Sequence, residues 1–204
     1  LGGCTPTIDR HHAVMSAMGE RFVFFRITEN DGDDEKLAGR ALAHAGKESA
    51  MRREMSEAVT RFLTRVSTST PTPELNQDDC ERLIDLASFV VRCRSAVERD
   101  GYSREIELIT GAEAPGRLAV ILSKLLDAFK RIGLDGDEAW RVVNKMAFDS
   151  IPGLRRNIIG ILASADIEMT TRAVALIAKY PTKTTHRALE ELAAYGVIHR
   201  EGEG

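Results

Sequence analysis

The chain has 204 residues, of which 43% are hydrophobic and 29% charged, and its formal net charge is −3. This length is enough for a buried core in one or two domains, and the composition is ordinary for a helix-rich globular protein. The slightly acidic balance excludes bulk attraction to nucleic acid or to an anionic membrane, so any such binding has to be local.

Cys4, Cys80 and Cys93 are scattered along the chain without the C-x-x-C spacing of a zinc site. Scattered thiols are typical of the reducing cytoplasm. The adjacent His11 and His12 would point about 100° apart on a helix and do not chelate as an i, i+4 pair does, so we expect no metal. No apolar run approaches the roughly 20 residues that span a bilayer, and the first residues do not form a signal peptide. These features predict a cytoplasmic protein without a membrane partner.

The first 29 residues differ in character from the rest. Residues 11–18 favour a short helix, and residues 22–27, which are rich in aromatic and β-branched side chains, predict a strand. A single strand in an otherwise helical chain lacks a partner, so its sheet is expected outside this sequence. The sequence also begins without a methionine, and we therefore expect a fragment of a longer protein.

Residues 30–150 have the periodicity of a helical bundle. One long helical pattern runs from Glu35 to Val66 with a break near Gly46, and a loop follows at residues 67–73. The next elements are predicted in this order: a helix from Asp78 to about Arg99, an extended piece at 105–109, a helix from Arg117 to Ile132, and a helix capped by Asp137.

Residues 151–204 contain three further helical segments. The first covers residues 154–164, and the second covers residues 171–179, with Ala173, Leu176 and Ile177 as its predicted apolar face. The third follows Pro181, with Thr182 placed to cap it and Gly196 suited to the left-handed residue that ends it. Its predicted apolar face comprises Ala188, Leu189, Leu192 and Ala193.

The start of the third segment carries side chains that can donate hydrogen bonds to phosphates and base edges in a major groove. Residues 197–200 then predict a strand. This pattern, threonines before R-x-L-E-x-L and then Y-G-V-I, resembles a large family of bacterial winged-helix domains. The resemblance implies that the third helix binds double-stranded DNA, with these candidate contacts: Thr182, Lys183, Thr184, Thr185, His186, Arg187 and Arg200.

The net charge of this region gives only weak support for DNA binding. From Pro152 to Gly204 there are seven Lys or Arg against six Asp or Glu. A winged helix that contacts only proteins, such as replication proteins, is therefore a second interpretation. The segment that would form the wing of such a domain, residues 199–204, ends after one strand, which again suggests a fragment.

Two other segments carry a second resemblance. GGCTPTIDRHHAVMSAMGERFVFFRI resembles the end of an AAA+ ATPase core of the replicative-helicase type, and RSAVERDGYSREIELITGAEAPGRLAVILSKL resembles the lid of such ATPases. The resemblance implies that Thr5, or alternatively Cys4, senses the γ-phosphate, that Arg21 is an arginine finger, and that Arg117 approaches nucleotide from the lid. A fixed guanidinium suits these places because phosphoryl transfer develops charge that it can stabilise.

Ordinary structural roles remain open for these residues. Arg21 and Arg26 could be solvated ends of a strand, Arg117 could pair with Glu113 in the first turn of a helix, and Thr5 could simply start a helix. The sequence has no G-x-x-x-x-G-K-[ST] phosphate loop and no apolar strand ending in paired acids. We therefore expect no ATP hydrolysis by this polypeptide alone, and ATP and Mg²⁺ as cofactors only when it is joined to a nucleotide-binding core.

Together these patterns predict a mainly α protein in three parts: an α/β remnant of an ATPase core (1–29), a lid-like helical bundle (30–150) and a winged helix-turn-helix (151–204). The expected function is DNA binding within a phage or mobile-element AAA+ replication or primase-helicase-like protein, with the ATPase core or replication proteins as partners. The alternative is a stand-alone winged-helix transcriptional regulator whose helical domain dimerises or senses a ligand. The sequence leaves open the target site, any effector and whether the chain forms a homo-oligomer.

Overall fold

The computed structural model describes residues 2–11, 22–27, 34–66 and 75–201. In these ranges the chain is mainly α-helical, as the sequence predicts, with one small two-stranded sheet. A 3-10 helix (Pro6–His11) precedes the other elements, which are α1 (Asp34–His44), α2 (Glu48–Arg65), α3 (Gln77–Arg94), β1 (Glu98–Arg99), β2 (Ile106–Leu108), α4 (Gly116–Arg131), α5 (Gly136–Asp149), α6 (Gly153–Ala163), α7 (Thr171–Ala178) and α8 (Thr182–Ala194).

Helices α3 to α8 share one continuous hydrophobic core. Leu118, Leu122 and Leu126 recur every four residues along α4 and are almost completely buried, because this spacing keeps them on one face of the helix. Burying a side chain of this size contributes about 1.5–3 kcal/mol. The core continues into the last three helices through Ile158 and Leu192, so α3–α5 and α6–α8 pack as one unit.

The ends of two helices differ from the sequence prediction. The side chain of Asp135 accepts a hydrogen bond from Glu138 N at 2.8 Å and caps α5, so the predicted cap, Asp137, lies instead within the first turn. Helix α3 ends at Arg94, before the predicted end, because the chain turns into the β1–β2 hairpin. The extended piece predicted at 105–109 is confirmed as β2, which pairs antiparallel with β1.

Residues 22–27 do not form the predicted strand. Their backbone N–H groups donate to side chains at the end of α5 instead of to a neighbouring strand: Phe24 N to Ser150 Oγ at 3.1 Å, and Arg26 N to Asp149 Oδ2 at 2.7 Å. The guanidinium of Arg26 pairs with Asp9 at 2.6 Å, so Arg26 is not a solvated end. The predicted helix at 11–18 falls outside the described residues apart from His11, which ends the 3-10 helix, and the predicted loop at 67–73 lies wholly outside them.

The break predicted near Gly46 is confirmed. Gly46 has a φ of 78°, in the left-handed region that glycine adopts without a steric penalty, and it separates α1 from α2. Neither helix contributes a buried residue. No helix in the described ranges is both long enough and apolar enough to cross a bilayer.

Candidate nucleic-acid interface

Helices α6, α7 and α8 pack against one another at the C-terminal end of the described chain. A tight turn joins α7 to α8: Lys179 adopts a left-handed conformation with φ 57°, and Tyr180 N donates to Ala175 O at 3.1 Å. Pro181 then occupies the N-cap position of α8, where a missing N–H costs nothing. We refer to α6–α8 as the C-terminal three-helix unit.

The buried face of α7 is not the one that the sequence predicts. Val174, Ala175 and Ala178 face the core, whereas Leu176 and Ile177 are 80% and 55% exposed. Residues 174 and 178 are four positions apart and therefore lie on the same face of the helix. With this face against the core, the larger side chains of Leu176 and Ile177 point outward.

Three of the four residues of the predicted apolar face of α8, Ala188, Leu189 and Leu192, are buried, and the fourth, Ala193, is half-buried. Thr185 belongs to this same face and has no exposed surface. Its hydroxyl donates to Pro181 O at 3.3 Å, within the first turn of the helix. The structure therefore removes Thr185 from the candidate DNA contacts, because its side chain has no access to a ligand.

The outer surface of α8 begins at its first residue. Thr182, Lys183, Thr184 and Arg187 are exposed. Thr182 does not cap the helix as the sequence predicts, because Pro181 takes the N-cap position and provides no side-chain acceptor. Helix N-termini without a protein cap favour anions, since the first N–H groups and the helix dipole both present positive charge.

His186 and Arg200 lie together beside this surface. The Arg200 guanidinium donates to His186 Nε2 across 3.2 Å. Because a guanidinium has only donors, Nε2 is the acceptor, which places the ring proton on Nδ1, 3.7 Å from Glu190 Oε1. Residues 197–200, which bring Arg200 to this position, do not form the predicted strand of a wing: 197–198 are a bend and 199–200 have no regular structure.

Both glutamates of α8 are neutralised by arginines from elsewhere in the chain. Arg99 Nη1 lies 3.0 Å from Glu190 Oε2, and Arg99 Nε lies 3.0 Å from Glu191 Oε1. Arg155 Nη2 reaches the other oxygen of Glu191 at 2.5 Å. These ion pairs neutralise the two carboxylates of α8, so a ligand at this surface would meet little negative charge from the helix.

The β1–β2 hairpin is fixed against one side of α8. Besides its two ion pairs, Arg99 donates from Nη2 to Arg187 O at 2.9 Å. The hydroxyl of Tyr195 lies 2.6 Å from Ala96 O and 2.7 Å from Thr110 O, at the two ends of the hairpin segment. The hairpin therefore covers the Glu190 side of the helix and leaves its first turns open to solvent.

Lys183 and Arg187 are the uncompensated cations of this surface. Within the described ranges neither side chain has a carboxylate partner within ion-pair distance, whereas the acids of the same helix are paired. Two cations and two exposed threonines on one helical turn and a half can contact phosphate oxygens and base edges. The sequence pattern contains no signal for the pairs made by Arg99 and Arg155, since their partners lie far away along the chain.

Two of the three candidate nucleotide-sensing residues, Thr5 and Arg117, lie within the described residues. Thr5 and Cys4 are exposed at the start of the 3-10 helix, and Arg21 lies outside the described residues. The Arg117 side chain is 53% exposed and only 3.9 Å from Glu113 Oε1, the pairing expected for a first-turn helix residue. Thr5 and Arg117 share no hydrogen bond among the described residues.

The described part of the chain contains no group of three His, Cys, Asp or Glu side chains arranged to hold a metal ion. No protein-family model matches the sequence, and neither the curated proteins nor the solved structures include a significant match to it.

Proposed function

We propose that the C-terminal three-helix unit is a helix-turn-helix that binds double-stranded DNA through the first turns of α8. The observation that carries this proposal is the charge arrangement of the helix. Its glutamates are paired with Arg99 and Arg155, while Lys183 and Arg187 are exposed beside Thr182 and Thr184 and have no carboxylate partner among the described residues. The local surface is therefore positive although the whole chain carries −3.

Arg200 extends the proposed surface along one edge. Its contact with His186 places a third cation next to the first turns of α8 without a paired strand. In this proposal Arg200 contacts the phosphate backbone, while Thr184 and Arg187 lie closest to the base edges. His186 then acts mainly by holding Arg200 in place.

The test is a fluorescence-anisotropy titration of the full chain against random duplex and single-stranded DNA at two salt concentrations. We expect salt-sensitive duplex binding that weakens about tenfold or more when Lys183→Ala and Arg187→Ala are combined, because each phosphate contact releases counterions. The matched control combines Lys124→Ala and Arg141→Ala, which removes two exposed cations from α4 and α5. Equal losses in both variants would mean that only net charge matters and would refute the assignment to α8.

The wider proposal is that this DNA-binding unit belongs to a phage-type AAA+ replication or helicase protein. It is supported by the resemblance of residues 2–27 and 94–125 to such ATPases and by the side chain of Arg117, which is 53% exposed although it pairs with Glu113. In an assembly that contains a nucleotide-binding core, Arg117→Ala should reduce ATP hydrolysis and leave DNA binding unchanged. If the chain is instead a stand-alone transcriptional regulator, Arg117→Ala should leave its activity unchanged.

A second candidate function is protein recruitment through α7. Leu176 and Ile177 are exposed on this helix and Tyr180 on the turn that follows it, and Ile177 and Tyr180 line an open groove of about 850 Å³ between α6 and α7. Exposed apolar side chains that cluster beside a groove are typical of protein contact sites. A chain that binds neither duplex nor single-stranded DNA at low salt would favour this function over DNA binding.

A further inference from the structure

Helices α1 and α2 form an exposed arm. Every residue from Asp34 to Arg65 is exposed, although α2 carries large apolar side chains at helical spacing. Their exposed fractions range from 38% for Met51 to 66% for Met55. Single exposed apolar residues are common on protein surfaces, but a contiguous row of them marks an interaction site.

The row lies along one face of α2. Met51, Met55, Val59 and Leu63 follow one another at intervals of four residues, with Phe62 beside them. This apolar stripe covers about 18 Å of the helix at 1.5 Å per residue.

Two charged residues, Glu48 and Arg52, lie on the same face as the stripe. They precede Met55 by seven and three residues, and these intervals return a side chain to one side of an α-helix. Whatever covers the stripe also has to accommodate this anion and this cation.

We propose that the stripe pairs with the stripe of a second copy of this chain, with the two α2 helices antiparallel. With position 57 on the two-fold axis, Met51 lies opposite Leu63 and Met55 lies opposite Val59. The contact is isologous, so each pair occurs twice and the interface closes as a dimer.

The charges on the face favour the antiparallel direction. In this register Arg52 lies opposite Phe62 of the second copy, where a cation–π contact is available, and Glu48 lies next to Arg65 of the second copy. A parallel pair would instead place Glu48 against Glu48 and Arg52 against Arg52, and like charges in contact are destabilising.

The exposed area is near the size that an interface needs. Five side chains that each cover on the order of 100 Å² give about 500 Å² per copy, hence about 1,000 Å² in total, the lower bound for a specific interface. We therefore expect a reversible dimer whose population depends on protein concentration.

The opposite face of α2 argues against a strongly charged partner. It carries Arg53, Glu54, Glu57 and Arg61, with both signs interspersed. An anionic membrane or nucleic acid would favour a uniformly basic face, whereas a mixed face is typical of solvated helices that pair through their apolar side.

The test is sedimentation equilibrium of the full chain without DNA, which keeps the result independent of the proposed DNA binding. We expect a monomer–dimer equilibrium for the unmodified chain, and Val59→Glu should weaken the dimer by tenfold or more. Ala50→Glu is the matched control, because Ala50 lies on the opposite face of the same helix, and it should leave the dimer unchanged. A chain that stays monomeric up to about 100 µM, or equal effects of the two variants, would overturn the proposal.

The direction of pairing is tested by oxidative cross-linking in a Cys4→Ser, Cys80→Ser background. Met51→Cys and Leu63→Cys chains should cross-link when they are mixed, because the two positions meet in the antiparallel pair. Each chain alone should cross-link poorly, since its own cysteines lie about 18 Å apart in the dimer. Efficient cross-linking of each chain with itself would indicate a parallel pair and refute the antiparallel arrangement.

Discussion

Arg155 and Glu191 form an ion pair, 2.5 Å from Nη2 to Oε2, that joins the first and last helices of the C-terminal three-helix unit. The same guanidinium donates from Nη1 to Cys93 O at 2.9 Å and to Ser95 O at 2.7 Å, at the end of α3. Arg99 binds the other oxygen of Glu191. One nearly buried pair therefore holds together α3, α6, α8 and the β1–β2 hairpin, and so fixes the orientation of the proposed DNA-binding helix relative to the bundle.

Replacing Arg155 with Met should destabilise the protein. The variant removes the hydrogen-bond donor of two carbonyl oxygens and of a largely buried carboxylate. This loss should lower the free energy of unfolding by about 2–4 kcal/mol. Urea denaturation measures the difference. The control is Lys183→Met, which removes an exposed cation and should change stability by less than about 0.5 kcal/mol. An unchanged midpoint for Arg155→Met would mean that the pair is dispensable.

Thr184 and Thr185 should respond differently to substitution although they are neighbours. Thr184 is exposed on the proposed DNA surface, whereas Thr185 is buried and bonded to Pro181 O. We expect Thr184→Val to weaken duplex binding about fivefold, the equivalent of one lost hydrogen bond. Thr185→Val keeps the shape of the buried side chain and should leave affinity unchanged within about twofold while lowering stability by up to about 1 kcal/mol. The opposite ranking in an anisotropy titration would place the wrong face of α8 against DNA.

The difference between these two threonines illustrates how far the sequence could predict the site. Periodicity correctly located α8 and its apolar face, because Ala188, Leu189 and Leu192 recur at helical spacing. It did not extend that face back to Thr185, since a polar residue at i−3 or i−4 gives no hydrophobic signal. Only the packing of the first turn against the core determines that Thr185 is buried.

The same limit explains the differences in α2 and in residues 22–27. Helices α2 and α4 both carry large apolar side chains at helical spacing, yet α2 is fully exposed and α4 supplies Leu122 and Leu126 to the core. An amphipathic pattern predicts a helix but not what covers it. Likewise, the aromatic composition of residues 22–27 favoured a strand, while the side chains of Asp149 and Ser150 provide hydrogen-bond acceptors that no local pattern reveals.

Cys93 should resist modification in the native protein. Burial raises the pKa of its thiol from about 9 to about 12, against a smaller opposing effect of Arg155. Iodoacetamide at pH 8 should therefore label the exposed Cys4 rapidly and Cys93 only after unfolding, because the thiolate is the reactive form. Peptide mapping by mass spectrometry measures both rates. Comparable rates for the two thiols in the folded chain would contradict the burial of Cys93.

Asp79 should make stability depend on pH. Burial opposes its ionisation, but hydrogen bonds from Lys130 Nζ and Trp140 Nε1, both at 2.8 Å, outweigh this effect and lower its pKa. A carboxyl whose pKa is lowered on folding stabilises the native state above its unfolded pKa, near 4, and loses that contribution as the pH falls through the folded value. We expect Asp79→Asn to reduce the free energy of unfolding by about 1–3 kcal/mol at pH 7, because Lys130 loses its counterion.

The deficit of Asp79→Asn should shrink as the pH falls below about 4, because the carboxyl of the unfolded wild-type chain becomes protonated there and that of the native protein follows at lower pH. Urea titrations at pH 7, 5 and 3 can follow it through the fluorescence of Trp140, the chain's single tryptophan, whose indole N–H binds this carboxylate. The matched control is Asp78→Asn on the preceding residue, a side chain that is 77% exposed and 3.8 Å from Arg82. Exposed pairs of this kind contribute little, so the control should change stability by less than about 1 kcal/mol at every pH. A deficit for Asp79→Asn that is as large at pH 3 as at pH 7 would show that the carboxylate acts through its shape and hydrogen bonds and not through its charge.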